Sequence, residues 1–218
     1  MTALAAREAY RLWAPTYATE TAISFIEDAL ARDLSPPLVG KRLLDAGCGT
    51  GRRLRGVDAS FAAGIDASPE MLRSGDAECV AAADLCALPF AGSSFDVVWC
   101  RLVLGHLRHL QRAYDELARV CAPGGELLVS DFHAAAAAAG HKRSFRDSSG
   151  AVHEIEHHIY DGATHISAAA RSGFSLLRAR DGVIGPSVEQ FYARAGRQDG
   201  YQRDLGLPVV ASFCFERQ

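Results

Sequence analysis

The chain has 218 residues, of which 49% are hydrophobic and 22% charged, with a net charge of −3 and a pI near 6.2. These values fit one globular α/β-sized domain and offer no bulk attraction to a polyanion, so nucleic acid is not an expected partner. No stretch is long and apolar enough to span a membrane, charges interrupt the N-terminus at Arg7, Glu8, Arg11 and Glu20, and the six cysteines form no CxxC pair; a reduced, cytoplasmic protein with no metal site and no disulfide framework is expected.

In chain order, residues 1–35 read as one or two amphipathic helices forming an N-terminal cap, with Tyr10, Trp13 and Tyr17 in AYRLWAPTY interrupted by Pro15. From residue 42 short apolar runs alternate with helical patterns, which predicts strands joined by crossover helices in a mostly parallel sheet. Strands are expected near 42–46, 62–65, 79–82, 95–100, 126–131, 175–180 and 208–215. SPEML, from Ser68, opens a helix with a capping serine and Pro69 at its first position. LQRAYDELARV places Leu110, Ala113, Leu117 and Val120 on one helical face, and the CAPGG after it stops the helix before ELLVSDF. Residues 133–160 run from alanine-rich to histidine-rich and are expected to form a substrate-side insertion in a single domain whose core is 36–132 and whose sheet is completed by 161–218.

The stretch LLDAGCGTG holds Gly47, Gly49 and Gly51 behind an apolar run that ends in Asp45. A dinucleotide fingerprint has GxGxxG spacing, whereas this loop has GxGxG, and a carboxylate beside a pyrophosphate would be repulsive. A nucleoside carrying a zwitterionic amino-acid arm suits the loop better. Asp66 ends the second predicted strand, where a carboxylate can meet both ribose hydroxyls, and Asp84 ends the third, where it can accept from an adenine amine while Leu85 covers the ring. The three acids form a ladder for amine, ribose and base.

LLDAGCGTG, GIDASPEML, ADLCALPFAGSSFDVVWC and ELARVCAPGGELLVSDF together resemble, in order and spacing, the class I S-adenosylmethionine-dependent methyltransferases, particularly the small-molecule type 11 group. The resemblance covers about residues 42–132 and implies a Rossmann-like seven-stranded sheet, mostly parallel with the last strand antiparallel and helices on both faces. It implies S-adenosylmethionine as cofactor, S-adenosylhomocysteine as product, and methyl transfer to a small-molecule acceptor. A cofactor site built from Tyr17, Asp45, Gly47, Gly49, Gly51, Arg52, Asp66, Ala67, Met71, Asp84, Leu85 and Cys100 follows from it. RRLRGVDASFAAGID is short for the family's first crossover, so a shortened helix is expected there.

For proton transfer the candidates are His106, close behind the fourth strand, and His133, directly behind the fifth. HEIEHH, from His153 to His158, lacks HEXXH spacing and reads as a polar strand or cap segment whose alternate residues share a face. Two other readings remain open at this point: a non-catalytic or regulatory module that keeps the S-adenosylmethionine pocket, and a nicotinamide-dependent oxidoreductase, which the loop spacing and Asp45 disfavour.

Overall fold

The computed structural model describes residues 3–218, so the first two residues of the expected 1–35 cap lie outside it. Nine strands are β1 Arg42–Ala46, β2 Phe61–Asp66, β3 Val80–Ala82, β4 Phe95–Arg101, β5 Cys121–Phe132, β6 Ser144–Arg146, β7 Val152–Glu154, β8 Phe174–Val183 and β9 Pro208–Arg217. Seven form one sheet in the order β3-β2-β1-β4-β5-β9-β8, and β6 with β7 form a separate hairpin. Neighbours from β3 to β5 are parallel; β9, the last strand, lies antiparallel between β5 and β8. The chain order reverses between β1 and β4, so the carboxyl ends of those strands open a crevice where this class of sheet receives ligands.

Alternation along the strands sends adjacent side chains to opposite faces. Leu44, Val98, Leu127 and Phe215 pack on one face with Tyr114 and Leu117 of α4, Leu110–Val120, and Ala168 and Ala169 of α6, Gly162–Arg171. Leu43, Val97, Leu128 and Cys214 pack on the other with Ala31 and Leu34 of α2, Ala22–Leu34. The helix begun by SPEML, α3 at Pro69–Arg73, is capped by Ser68, whose hydroxyl accepts from the Met71 amide at 3.3 Å. CAPGG differs from expectation: β5 begins at Cys121, pairs with Phe95, and takes up the glycines in a register shift before Glu126 meets Val97.

The first crossover departs furthest from the sequence reading. Between β1 and β2 no α-helix forms; a single 3-10 turn, Arg52–Leu54, carries the connection. Helix α2 is tied to this turn by charge. Glu27, fully buried, receives both Nε and Nη2 of Arg101 at 2.8 Å, Ser130 Oγ at 2.7 Å and Arg53 Nη2 at 3.0 Å. Asp28 beside it takes Arg52, Arg53 and Arg101. Against a burial that would raise it, Arg53 and Arg101 hold the Glu27 carboxyl below its ordinary range.

At one edge β3 has three residues; at the other β8 is exposed along most of its length and shifts register between Leu176 and Arg178 and again at Gly182/Val183. No helix among the described residues is long and apolar enough to cross a membrane.

Glu27→Ala removes two of the three carboxylate contacts of the buried Arg101, leaving it Asp28, and is expected to lower unfolding free energy by about 3–5 kcal/mol in urea titration at pH 7. A loss below 1 kcal/mol would show that the ion cluster does not hold α2 to the sheet.

Candidate active site

The glycine loop follows β1 at the crevice. Gly47, Gly49 and Gly51 take φ of +87°, +60° and +70°, a region open to glycine and strained for other residues. The amides of Gly47 and Cys48 both donate to Ile65 O at 2.8 Å, Gly49 N donates to Asp66 Oδ2 at 2.8 Å, and Gly51 N donates to Cys48 O at 3.0 Å. Those four donors are therefore spent inside the protein, and the loop is not the open nest of N–H groups that a pyrophosphate requires.

Asp45 behaves in the opposite way. Its side chain is fully buried, and neither carboxylate oxygen has a hydrogen-bond partner. Burial pushes its pKa up to about 6, despite the charges of Arg53 and Arg101. An orphaned buried carboxylate at a strand end fits an ammonium group, which supplies both charge and donors. This observation fits the amino-acid arm of a sulfur nucleoside to the site.

Asp66 is held rather than free: Oδ2 accepts from Gly49 and Oδ1 from the Ser68 amide at 2.8 Å. It both ties the loop and caps the turn into α3; burial raises its pKa against those two amides. Asp84 is exposed, with Oδ1 accepting from Cys86 N at 2.8 Å, and Ala67 is exposed beside Asp66. The Leu85 side chain points into the main core, so at that position only backbone is available to cover a base. Cys100 is also fully buried, and burial holds its thiol well above its ordinary range. Met71 and Tyr17 lie over the loop: a Cβ at Gly49 would meet Met71 Cε at 3.1 Å and the Tyr17 ring at 3.7 Å. Val103 closes in the same way on Gly47. Arg52, expected in the cofactor site, pairs with Asp28 at 2.9 Å.

Neither histidine singled out for proton transfer is free. His133 caps α5, Ala134–Ala138, its Nδ1 accepting from Ala135 N at 3.0 Å, while Nε2 faces Asp181 at 3.6 Å. His106 has Nδ1 3.3 Å from Glu156 O and Nε2 3.0 Å from the Tyr10 hydroxyl. A carbonyl only accepts, so Nδ1 carries the proton and Nε2 receives the Tyr10 O–H. Burial first, then the charge of Arg143 and the nearby His157, lowers the His106 pKa to about 3, which leaves a weak base.

The HEIEHH segment separates in space. His153 stacks on Phe145 and pairs with Asp147 at 2.7 Å in the hairpin. His157 turns inward, its Nε2 3.3 Å from Asp131 Oδ1 at the end of β5; His165 approaches the other oxygen of Asp131 at 3.5 Å and accepts or donates at Tyr114 Oη, 3.0 Å away. Against burial, the two histidines hold Asp131 well below its ordinary range, hence ionised.

Two small cavities lie beside this cluster, of about 190 Å³ and 220 Å³, and share Phe132, Lys142 and Arg143 as walls. His157 lines the first; Tyr17 and Leu102 line the second, Leu102 with a φ of +59° just past β4. Sequence reasoning missed Asp131, His157, Arg143 and the Glu27 cluster. For Glu27 a signal existed: it occupies the stripe of Ile23, Ile26, Leu30 and Leu34 on α2, where a solvated acid would be out of place.

Residues 44–129 match the family model described as a methyltransferase domain. Over 102 residues the chain is 38% identical to a malonyl-[acyl-carrier protein] O-methyltransferase of Erwinia billingiae, spanning 44% of this chain and 40% of that protein. It is 33% identical over 126 residues to a demethylmenaquinone methyltransferase of Tropheryma whipplei, spanning 52% and 53% respectively, so the matched stretch is about half of these relatives or less. In fold it is similar to an S-adenosylmethionine dependent methyltransferase from Mesorhizobium loti, with a TM-score of 0.67 and 24% identity over 88% of this chain and 98% of the other. Residues 44–129 thus match a methyltransferase domain, and the strand order is that of a fold shared with S-adenosylmethionine-dependent methyltransferases.

Proposed function

We propose that the chain catalyses methyl transfer from S-adenosylmethionine to a small-molecule acceptor by in-line displacement. The observation that carries this reading is Asp45, a buried carboxylate with no partner beneath a glycine loop whose amide donors are already spent. When bound, the cofactor supplies a methyl group activated on a positively charged sulfur. The protein's part is placement: Asp45 would anchor the ammonium end, Asp66 keeps the loop in shape while offering its remaining lone pairs to the ribose, and Asp84, exposed past β3, is open to the base. Tyr17 and Met71, packed over Gly49, would be displaced outward and then cover the bound molecule, excluding water from the reacting centre. Aligned reactants can lower such a barrier by about 7–11 kcal/mol without acid catalysis. The internally satisfied loop amides count against a nicotinamide dinucleotide, whose pyrophosphate would find few donors there.

Titration calorimetry with S-adenosylhomocysteine, run beside NADH, is expected to detect the sulfur nucleoside alone; binding of NADH in its place would overturn the assignment. Because an ammonium binds the ionised form of Asp45, affinity for S-adenosylhomocysteine should be weak below pH 6 and rise through that value to a plateau, with proton uptake or release visible as buffer-dependent heat.

Asp45 also sets a stability trade. Its pKa stands at about 6 in the fold against 3.8 unfolded, so between those values the folded chain holds a proton that the unfolded chain has lost, and stability falls as pH rises through the window. The burden above pH 6 is about 3 kcal/mol. Asp45→Asn should therefore raise the Tm at pH 7.5 while weakening S-adenosylhomocysteine at least tenfold; a lowered Tm together with unchanged affinity would remove Asp45 from the site.

A further inference from the structure

The two cavities beside the loop share a wall that nothing in the methyltransferase motifs accounts for. Lys142 and Arg143 line it just before the hairpin, Arg52 and Arg53 line the second cavity alone, and three of the four are paired: Lys142 with Glu154 at 2.9 Å, Arg52 with Asp28 at 2.9 Å, and Arg53 with Glu27 at 3.0 Å. Arg143, half-buried and facing both cavities, has no carboxylate within ion-pair distance among the described residues. Glu20, at the wall of the second cavity, is exposed to solvent.

Across the first cavity stands His157, with a side chain only 6% exposed. Its Nε2 faces the Asp131 carboxylate, and its Nδ1 is buried without a hydrogen-bond partner. In the neutral ring the hydrogen sits on Nε2, facing a carboxylate that only accepts, and Nδ1 carries the lone pair. His106 packs edge-on to the ring at 5.1 Å and Phe132 at 5.8 Å, which holds its plane. A buried acceptor with no donor is unfavourable unless something brings one. Arg143, whose guanidinium also reaches the Tyr10 hydroxyl but meets no carboxylate, and the His157 ring thus line one small cavity.

We propose that these cavities are the acceptor subsite, and that the acceptor is a small hydroxy acid whose anionic group is held by Arg143 and whose hydroxyl meets Nδ1 of His157, positioned by Asp131. The inference rests on the methyl-transfer reading above. In the step it describes, the hydroxyl proton passes to Nδ1 as the oxygen forms its bond to the transferred methyl carbon. The carbon–sulfur bond breaks with its electron pair left on sulfur, and the proton on His157, stabilised by Asp131, then leaves to solvent. A carboxylate or a phosphate on the acceptor would serve Arg143 through the same chemistry.

The test reads binding rather than turnover. Chain saturated with S-adenosylhomocysteine is titrated with salicylate, 4-hydroxyphenylacetate, lactate and 3-phospholactate, with the carboxamides of salicylate, 4-hydroxyphenylacetate and lactate, and with phenylacetate as the partner lacking a hydroxyl. At least one acid is expected to bind tenfold or more tighter than its amide, and Arg143→Gln should erase that preference while leaving S-adenosylhomocysteine affinity within twofold. His157→Gln should keep the preference for acid over amide but remove the gain of 4-hydroxyphenylacetate over phenylacetate. In ¹⁵N spectra of the wild-type imidazoles, His157 should show a proton-free Nδ1. Binding of S-adenosylhomocysteine with acids and amides held alike, with no acid held, or with Nδ1 protonated overturns this inference alone; failure to bind S-adenosylhomocysteine overturns the methyl-transfer reading on which it stands. Tighter binding of 3-phospholactate than of lactate would assign the anion to phosphate.

Discussion

The carboxylate of Glu27 is the point on which the two halves of the crevice depend. It belongs to a helix that precedes the sheet in sequence, yet its ligands come from the end of β4, from β5 and from the turn behind the glycine loop. In most sheets of this kind a crossover helix would brace that turn from one side. Here the crossover is a single 3-10 turn, and α2 with its two adjacent acids takes over the bracing by charge. A buried ion cluster adds little net stability over an apolar one, but it tolerates few alternative geometries, because any mispairing leaves a desolvated charge. The loop is thereby held in one shape with short connections.

That rigidity bears directly on the chemistry. Arg53 and Arg101, while neutralised by α2, also lie close enough to moderate the Asp45 charge, so the acid meant for a cation is neither paired nor wholly unsupported. The site is therefore incomplete by one positive charge. Asp131 plays a different part: flanked by His157 and His165, it orients the two rings beside the cavity.

Much of this architecture was legible in the sequence. Strands β1, β4 and β9 announce themselves as apolar runs bounded by turn residues, and α4 by its regular stripe; local pattern suffices because each run buries two faces or one. The glycine loop and the acids at the strand ends were equally visible, since their spacing is local. What escaped were relations between distant residues. His133 looked well placed by its position behind β5, but a backbone amide two residues on captured its ring, whereas His157 reached Asp131 from 26 positions away along the chain. The apolar stripe of α2 marks Glu27 as buried, but sequence alone does not say that Arg53 and Arg101 will be its partners. The absence of a crossover helix was foreshadowed only by the shortness of its segment.

The outer strand β8 carries one more consequence. A sheet with open sides invites another chain to extend its hydrogen-bonding rows, and an exposed ten-residue strand bearing Leu176, Leu177 and Val183 would be a ready template. Two register shifts break the row into short pieces, and Arg178, Arg180 and Asp181 set fixed charges between them. An incoming strand would have to follow the kinks and bury those charges at once. The irregularities of β8 thus make it a poor template for an added strand, and β3 at the opposite side is too short to offer more than a few bonds.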